Sequence, residues 1–389
     1  MNSETDTSPD LSIPNISGGS GWQKALLPIT ILALMGSGVV WWLYPGAFAA
    51  GWLAAILVPW SIAIGSLALM LIAGLTGGEW ARAVWPWLSI QIRFIPWIGL
   101  AFLLVLTGLN SLYPWTQESY LAPFENTEHR QWFYQPWFFS ARTIFYWFVW
   151  SGLSLLPARQ FSNENEHSNV IGGQGVAGLS LVVLVLTVTW ASLDWVLSFD
   201  LFFMSTLFGL LIGMGALLAG ISTTVAAVNF WRTEPIHLPS EKARGDLGNL
   251  MLAMLMLWAY FSFAQFLIMW SGDLPNEADF YQLRNSGGWQ LASPLLALLG
   301  FVVPFLCLLS RDFKLSPGKI GVLAIALILV RQVELFWMIF PATPTEIQAT
   351  LIWTVPPAVI AVPGLYWLGV RRSMSRYEVQ RRKEISHDE

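Results

Sequence analysis

The side chains best suited to chemistry are a few charged residues that interrupt long apolar runs. Arg331 and Glu334 lie three residues apart in VRQVELFW, so on a helix they share a face and can form an ion pair. Asp194 and Asp200 bracket the segment WVLSF, and Arg142 opens another apolar run as a candidate partner for Asp194. Because an ionisable group in lipid costs roughly 3 kcal/mol, each of the five is a candidate functional residue.

Each of these groups has a chemical and a structural interpretation. The Arg331–Glu334 pair either relays protons or faces a quinone, or else it only locks its helix to a neighbour. Asp194 and Asp200 surround an outward-facing hairpin, where carboxylates can release a proton or accept one from a quinol hydroxyl. Their structural interpretation is a hydrogen bond at a helix break for Asp194 and a solvated or N-capping role for Asp200.

The elements that carry these residues are membrane-spanning helices. Of 389 residues, 55% are hydrophobic and 11% are charged, whereas a soluble domain carries about 25% charged residues. This composition excludes a water-soluble enzyme. At roughly 20 residues per span, the chain predicts an all-α integral membrane protein with ten transmembrane helices, near residues 25–43, 48–75, 87–109, 137–158, 170–197, 203–231, 246–272, 289–309, 318–340 and 349–370.

The chain divides into three regions. Residues 1–21 are polar and predict a disordered cytoplasmic tail, residues 22–370 form the membrane domain, and residues 371–389 form a basic cytoplasmic tail. Most of the 20 Lys and Arg fall on the side of both termini, while the opposite loops are acidic. The positive-inside rule then places both termini in the cytoplasm.

Metal ligands are scarce. The chain has four His, all outside the predicted spans, and one Cys, Cys307, alone inside one. Iron–sulfur clusters usually take four thiolates, and haem needs axial ligands such as His. We therefore expect no metal site and no redox cofactor bound by this chain. The net charge of −4 offers no general basic surface for a nucleic acid.

Three segments resemble a known family. They are LTVTWASLDWVLSFDLFFMSTLFG at 186–209, DLGNLMLAMLMLWAYFSFAQFLIMWSGDLPNE at 246–277, and the stretch 67–80 that ends in LTGGEW. Together with the ten-span plan they resemble the ActF subunits of alternative complex III, a quinol:electron-acceptor oxidoreductase of bacterial respiratory and photosynthetic chains. This family belongs with the NrfD and polysulfide-reductase-type membrane subunits, and the resemblance covers about residues 50–340.

The resemblance implies a fold of two four-helix bundles plus two peripheral helices, in the bacterial cytoplasmic membrane. It implies a non-redox subunit of a quinol:cytochrome c (or other acceptor) oxidoreductase, which offers a second quinone-side surface, a proton path, or both. The implied partners are an ActC-like membrane subunit, an iron–sulfur ActB-like subunit and c-type cytochrome subunits. Haem c and iron–sulfur clusters would then reside on those partners, and quinone or quinol is the small molecule expected here.

The chain departs from the family at positions where histidine is common. Ala73 and Gly74 precede LTGG, and Asp200 to Phe203 stand where a Glu-Pro-His-Trp run is usual, while Asp194 and Trp195 are retained. Imidazole is the natural acceptor of a quinol proton, so proton conduction and scaffolding are less affected than quinol oxidation. Three other interpretations stay open: an NrfD-type anchor of a molybdopterin or polysulfide reductase, a secondary transporter, and a purely structural subunit.

Overall fold

The fold is all helical across the part of the chain that the structure, a computed structural model, describes. That part comprises residues 21–117, 120, 132–158, 174–230 and 239–388. The predicted polar tail at 1–21 therefore lies almost entirely outside the described residues. In the predicted basic tail, the side chains of residues 380–389 lie outside them as well.

The helices follow one another with short connections. In chain order they are α1 (Gly21–Leu43), α2 (Pro45–Thr76), α3 (Glu79–Ile92), α4 (Ile95–Leu106), α5 (Leu109–Leu112), α6 (Pro136–Ala158), α7 (Gln174–Trp195), α8 (Phe208–Phe230), α9 (Glu241–Gly272), α10 (Pro275–Arg284), α11 (Ala292–Ala297), α12 (Val303–Leu309), α13 (Arg311–Leu315), α14 (Pro317–Ile339), α15 (Thr345–Gln348) and α16 (Leu351–Asp388). A π-helical turn, Leu298–Val302, joins α11 to α12. Single 3-10 turns lie at Pro114–Thr116, Leu197–Phe199 and Phe340–Ala342.

Within the described ranges, nine helical segments are long and apolar enough to cross a membrane. They are Ala25–Leu43, Pro45–Thr76, Glu79–Leu106, Gln174–Phe199, Phe208–Phe230, Glu241–Gly272, Ala292–Leu309, Pro317–Ala342 and Leu351–Val379. Each coincides with a predicted span, so the prediction of an all-α membrane protein is confirmed. The remaining predicted span, near 137–158, is the less apolar helix α6, which packs against α4 and α7.

The centre of the protein is α2, which is buried over most of its length. It crosses α8 in backbone contact, because glycine stands at the crossing on both helices. A Cβ on Gly65 would overlap the carbonyl oxygen of Ala216, and one on Gly220 would lie 2.7 Å from Ser66 N. Since α7 and α14 both pack against α2 and α8, this crossing determines where their charged residues lie.

Two predicted boundaries differ from the observed ones. The predicted span near 203–231 is wrong at its start, because α8 begins at Phe208. Before it, Asp200 Oδ1 accepts hydrogen bonds from the backbone N of Phe202 (3.0 Å) and Phe203 (3.3 Å), a turn that competes with helix formation. At the other end of the chain, α16 runs without interruption from Leu351 to Asp388, so the backbone after residue 370 continues the last helix.

Candidate functional site

An acid–base cluster lies at the end of α7. Asp194, on the last turn of this helix, is 1% exposed. Arg142 from α6 binds its carboxylate through two nitrogens, Nε to Oδ2 at 2.9 Å and Nη2 to Oδ1 at 2.8 Å. The Tyr146 hydroxyl donates a third hydrogen bond to Oδ2 at 2.7 Å. The sequence-predicted pairing of Arg142 with Asp194 is therefore present, and the carboxylate is saturated with donors.

Aromatic rings hold the arginine side of this cluster. The Arg142 guanidinium lies 3.7 Å from the centre of the Phe133 ring and 4.6 Å from that of Phe138, distances at which cations are attracted to ring faces. Arg142 Nη1 also donates to the Phe133 carbonyl oxygen at 2.8 Å. These contacts tie the start of α6 and the segment before it to the end of α7.

Buried aromatic residues pack around the point where α7 ends, just after Asp194. Trp195 packs against Phe102, with ring centres 4.3 Å apart, and against Trp60 and Trp150 at 5.6 Å each. The Tyr113 hydroxyl donates to the Trp195 carbonyl oxygen at 2.9 Å. A helix leaves its last carbonyls without partners, and this bond satisfies one of them where α7 stops.

A pocket of about 550 Å³ opens beside this break. Its walls come from the end of α7, the loop 197–207, α9 and the first turn of α10. They combine apolar side chains with a few polar ones, which include Asp194, Ser198, Asp200, Ser205, Gln265 and Glu277. Mostly apolar clefts of this size with a few convergent polar groups are typical of small-molecule sites.

Asp200 lines the pocket and, unlike Asp194, forms no ion pair among the described residues. Burial raises the pKa of its carboxyl group above the ordinary value, while its backbone hydrogen bonds and the positive charge of Arg284 act in the opposite direction. A raised pKa means that ionisation is less favourable in the folded protein. Its contribution to stability is therefore full below the ordinary pKa and decreases as the pH rises through the folded-state pKa.

A second buried charge cluster lies inside α14, away from the residues that line the pocket. Arg331 Nη1 and Glu334 Oε2 are 2.5 Å apart, and Trp258 Nε1 donates to Glu334 Oε1 at 3.0 Å. The predicted pairing of Arg331 with Glu334 is therefore present. Arg331 Nε and Nη2 are buried without a hydrogen-bond partner among the described residues, beside a small cavity of about 10 Å³ that Gly215 and Gly300 help to line.

Glycine and a π-helical turn make room for this second cluster. A Cβ on Gly215 in α8 would lie 2.5 Å from Arg331 Cζ, so a larger residue would exclude the guanidinium. Gly300 lies in the π-helical turn, and a Cβ there would be 3.1 Å from the Trp258 ring. Such turns frequently occur at functional sites.

Sequence reasoning missed two residues near the pocket. Gln265 is buried in the pocket wall, where its Oε1 accepts a hydrogen bond from the Ser205 hydroxyl. Arg284 is 2% exposed. Nothing in the local sequence of its helix, PNEADFYQLR, distinguishes this buried arginine from a solvated one. Asp194, Asp200 and, through its ion pair, Arg142 meet at the pocket, whereas Arg331 and Glu334 do not.

Comparison with known proteins does not assign the chain to a family. No protein-family model matches the sequence, and no curated protein matches it either. Among the residues that the structure describes, no group of three or more His, Cys, Asp or Glu side chains could hold a metal ion. The functional argument therefore depends on the two charge clusters and the pocket.

Replacing Asp194 with Asn tests its ion pair with Arg142. We expect the variant to lose about 3 kcal/mol of stability, because the Arg142 side chain, only 11% exposed, loses its counter-ion. The double variant Asp194→Asn/Arg142→Gln should recover part of the loss. The measurement is thermal unfolding in detergent.

The exposed pair Lys242–Glu79, 3.4 Å apart, offers a matched control, and Glu79→Gln should leave the unfolding midpoint unchanged because surface pairs contribute little. A double variant that is no more stable than Asp194→Asn would show that pairing is not what stabilises this site.

Proposed function

We propose that this chain is an ActF-like membrane subunit of a quinol-oxidising electron-transfer complex of a respiratory or photosynthetic chain. In this proposal it supplies a quinone-side surface at the pocket beside Asp194 and a proton path through its buried charges. Electrons move on partner subunits. The observation that carries the proposal is the pocket of about 550 Å³, which combines apolar and aromatic walls with carboxylates and a few other polar groups.

The pocket chemistry supports a quinone or quinol as the ligand. A quinone is a flat apolar ring with oxygens at opposite ends, so it needs apolar walls and polar groups at separated points. Trp190 and Leu193 supply apolar wall, and Gln265 and Asp200 supply polar groups. Oxidation of a quinol releases two electrons and two protons. Asp200 is the better proton acceptor, since the Asp194 carboxylate already receives three hydrogen bonds.

The Arg331–Glu334 pair is the second part of the proposal. A carboxylate buried among helices in a membrane protein is a candidate proton carrier. Glu334 is paired with Arg331 and accepts a hydrogen bond from Trp258. The Arg331 nitrogens without a partner among the described residues border the small cavity. We therefore assign this pair to the proton path rather than to the quinone pocket.

The proposal includes a topology and a location. Helix α6 is the tenth span, and the ten spans form two four-helix bundles plus two peripheral helices. Both termini lie in the cytoplasm of a bacterium, with the chain in the inner membrane. The concentration of Lys and Arg on the side of the termini supports this orientation.

The partners in this proposal are an ActC-like membrane subunit, an iron–sulfur ActB-like subunit and c-type cytochrome subunits. These would carry the haem c and the iron–sulfur clusters, and the present chain would bind no redox cofactor. The predicted spans contain one Cys and no His, which is consistent with redox cofactors being on the partner subunits.

Affinity purification in mild detergent tests the proposed assembly. We expect the tagged chain to co-purify with larger subunits and with the absorbance of c-type haem. Isolation with a molybdenum protein but no haem would instead indicate an NrfD-type anchor. Isolation alone as a monomer would contradict the complex and favour a transporter.

Filling the pocket tests quinone binding. Leu193→Trp adds a large ring to the pocket wall, so we expect it to weaken binding of decylubiquinone by about tenfold or more through overpacking. The measurement is calorimetric titration of the purified protein, together with its content of extractable quinone.

Leu179→Trp is the matched control, since Leu179 is an exposed residue of the same helix, about 21 Å along it from Leu193. The control variant should bind like the wild type. Equal binding by the Leu193→Trp variant and the wild type would place the ligand elsewhere.

Glu334→Gln tests the proton path. In reconstituted vesicles containing the whole complex, we expect coupled proton transfer to fall more than electron transfer, because the amide cannot carry a proton as the carboxyl group does. The exposed Asp312→Asn on α13 serves as control. An unchanged proton yield in a normally assembled complex would remove Glu334 from the path.

A further inference from the structure

Helix α10 lies outside the spans, yet its last residue is one of the most deeply buried charges in the described part of the chain. Arg284 is 2% exposed, and its Nη1 donates to the Phe280 carbonyl oxygen at 2.7 Å. Its Nη2 donates to the Met338 carbonyl oxygen at 2.6 Å. Met338 belongs to the final turn of α14, where carbonyls lack helical partners and the helix dipole favours a cation. Arg284 thus binds α10 to the end of the helix that carries Arg331 and Glu334.

The same guanidinium is connected to the pocket through stacked rings. It lies 3.5 Å from the centre of the Phe280 ring. Phe280 in turn stacks on Phe203, with ring centres 4.2 Å apart and planes 16° apart. Two groups this close to one ring cannot share a face, so Phe280 lies between Arg284 and Phe203. Phe203 lines the pocket, and the loop that carries it is therefore held from outside by α10.

Charge gives Arg284 a second connection to the pocket. Its positive charge favours the ionised form of Asp200, and Asp200 in turn favours the charged form of Arg284. Burial lowers the pKa of the Arg284 guanidinium to about 9, so the group is still charged at pH 7. Among the described residues, the other titratable groups that act on Asp200 or share its pocket are Tyr120, Tyr134, Asp194, Glu277 and Asp279.

We propose that Arg284 is a positioning residue of the pocket: it fastens α10 to the end of α14, holds Phe203 in the pocket wall through Phe280, and acts on Asp200 through its positive charge. The inference rests on the proposed function only in that the pocket takes a quinone. The clamp and the charge effect are properties of the free protein.

Two substitutions separate the clamp from the charge. Arg284→Lys keeps a cation but has a single nitrogen, so it cannot bond both carbonyl oxygens in the same planar geometry. Arg284→Gln removes the charge as well. Hydrogen exchange of the purified protein measures the clamp, and infrared titration of the Asp200 carboxyl band, identified by its loss in Asp200→Asn, measures the charge effect.

We expect amide exchange in α10 and in residues 200–207 to accelerate about tenfold in both variants, with the central helix α2 unchanged. We expect Asp200 to titrate at higher pH in Arg284→Gln, by roughly one pH unit, and to shift much less in Arg284→Lys. The Arg311 side chain on α13 is exposed, so Arg311→Gln should alter neither measurement.

Hydrogen exchange and the Asp200 titration test the clamp and the charge effect of Arg284 separately. Unchanged exchange in α10 would overturn the clamp, and an unchanged Asp200 titration in Arg284→Gln would overturn the charge effect. Faster exchange throughout the protein, α2 included, would show a general packing role and contradict the proposal as well. Failure of the wild-type protein to bind decylubiquinone would instead overturn the proposed function, since neither readout on Arg284 requires the ligand.

Discussion

The structure depends on an ion pair that neutralises a buried carboxylate at the point where a membrane helix ends. Asp194 lies on the last turn of α7, out of water, and its carboxylate is stable there because Arg142 and Tyr146 supply three hydrogen bonds. The same pair joins α6 to α7. The chain can then leave helical geometry before α8 begins, and the loop 197–207 that results forms part of the pocket wall.

Interruptions or ends of regular helix accompany three of the polar clusters in the described part of this protein. The 3-10 turn Leu197–Phe199 follows Asp194, the π-helical turn Leu298–Val302 faces the Arg331–Glu334 pair, and the end of α14 receives Arg284. Where a helix ends, its last carbonyls lack helical partners and can accept hydrogen bonds from side chains. Tyr113 donates to the Trp195 carbonyl at the end of α7, and Arg284 donates to the Met338 carbonyl at the end of α14.

The positions of the helices and the pairing of Arg331 with Glu334 could be predicted from local sequence patterns. Long apolar runs locate the helices because a span needs roughly 20 such residues. The spacing of Arg331 and Glu334 predicts their ion pair because three residues place them on one helical face. The start of α8 was mispredicted, because Phe202 and Phe203 are as apolar as a helix requires and only the Asp200 side chain turns the backbone.

Local sequence patterns are sufficient to predict an all-α membrane protein and the pairing of Arg331 with Glu334 on one helical face. The packing of the helices was needed to show that Asp194 and Asp200 share a pocket, that the Arg331–Glu334 pair lies apart from it, and that Arg284 is buried. The reason is that hydropathy and helical periodicity are local properties. The crossing of α2 with α8, and the docking of α10 on α14, bring together residues that are far apart in the chain.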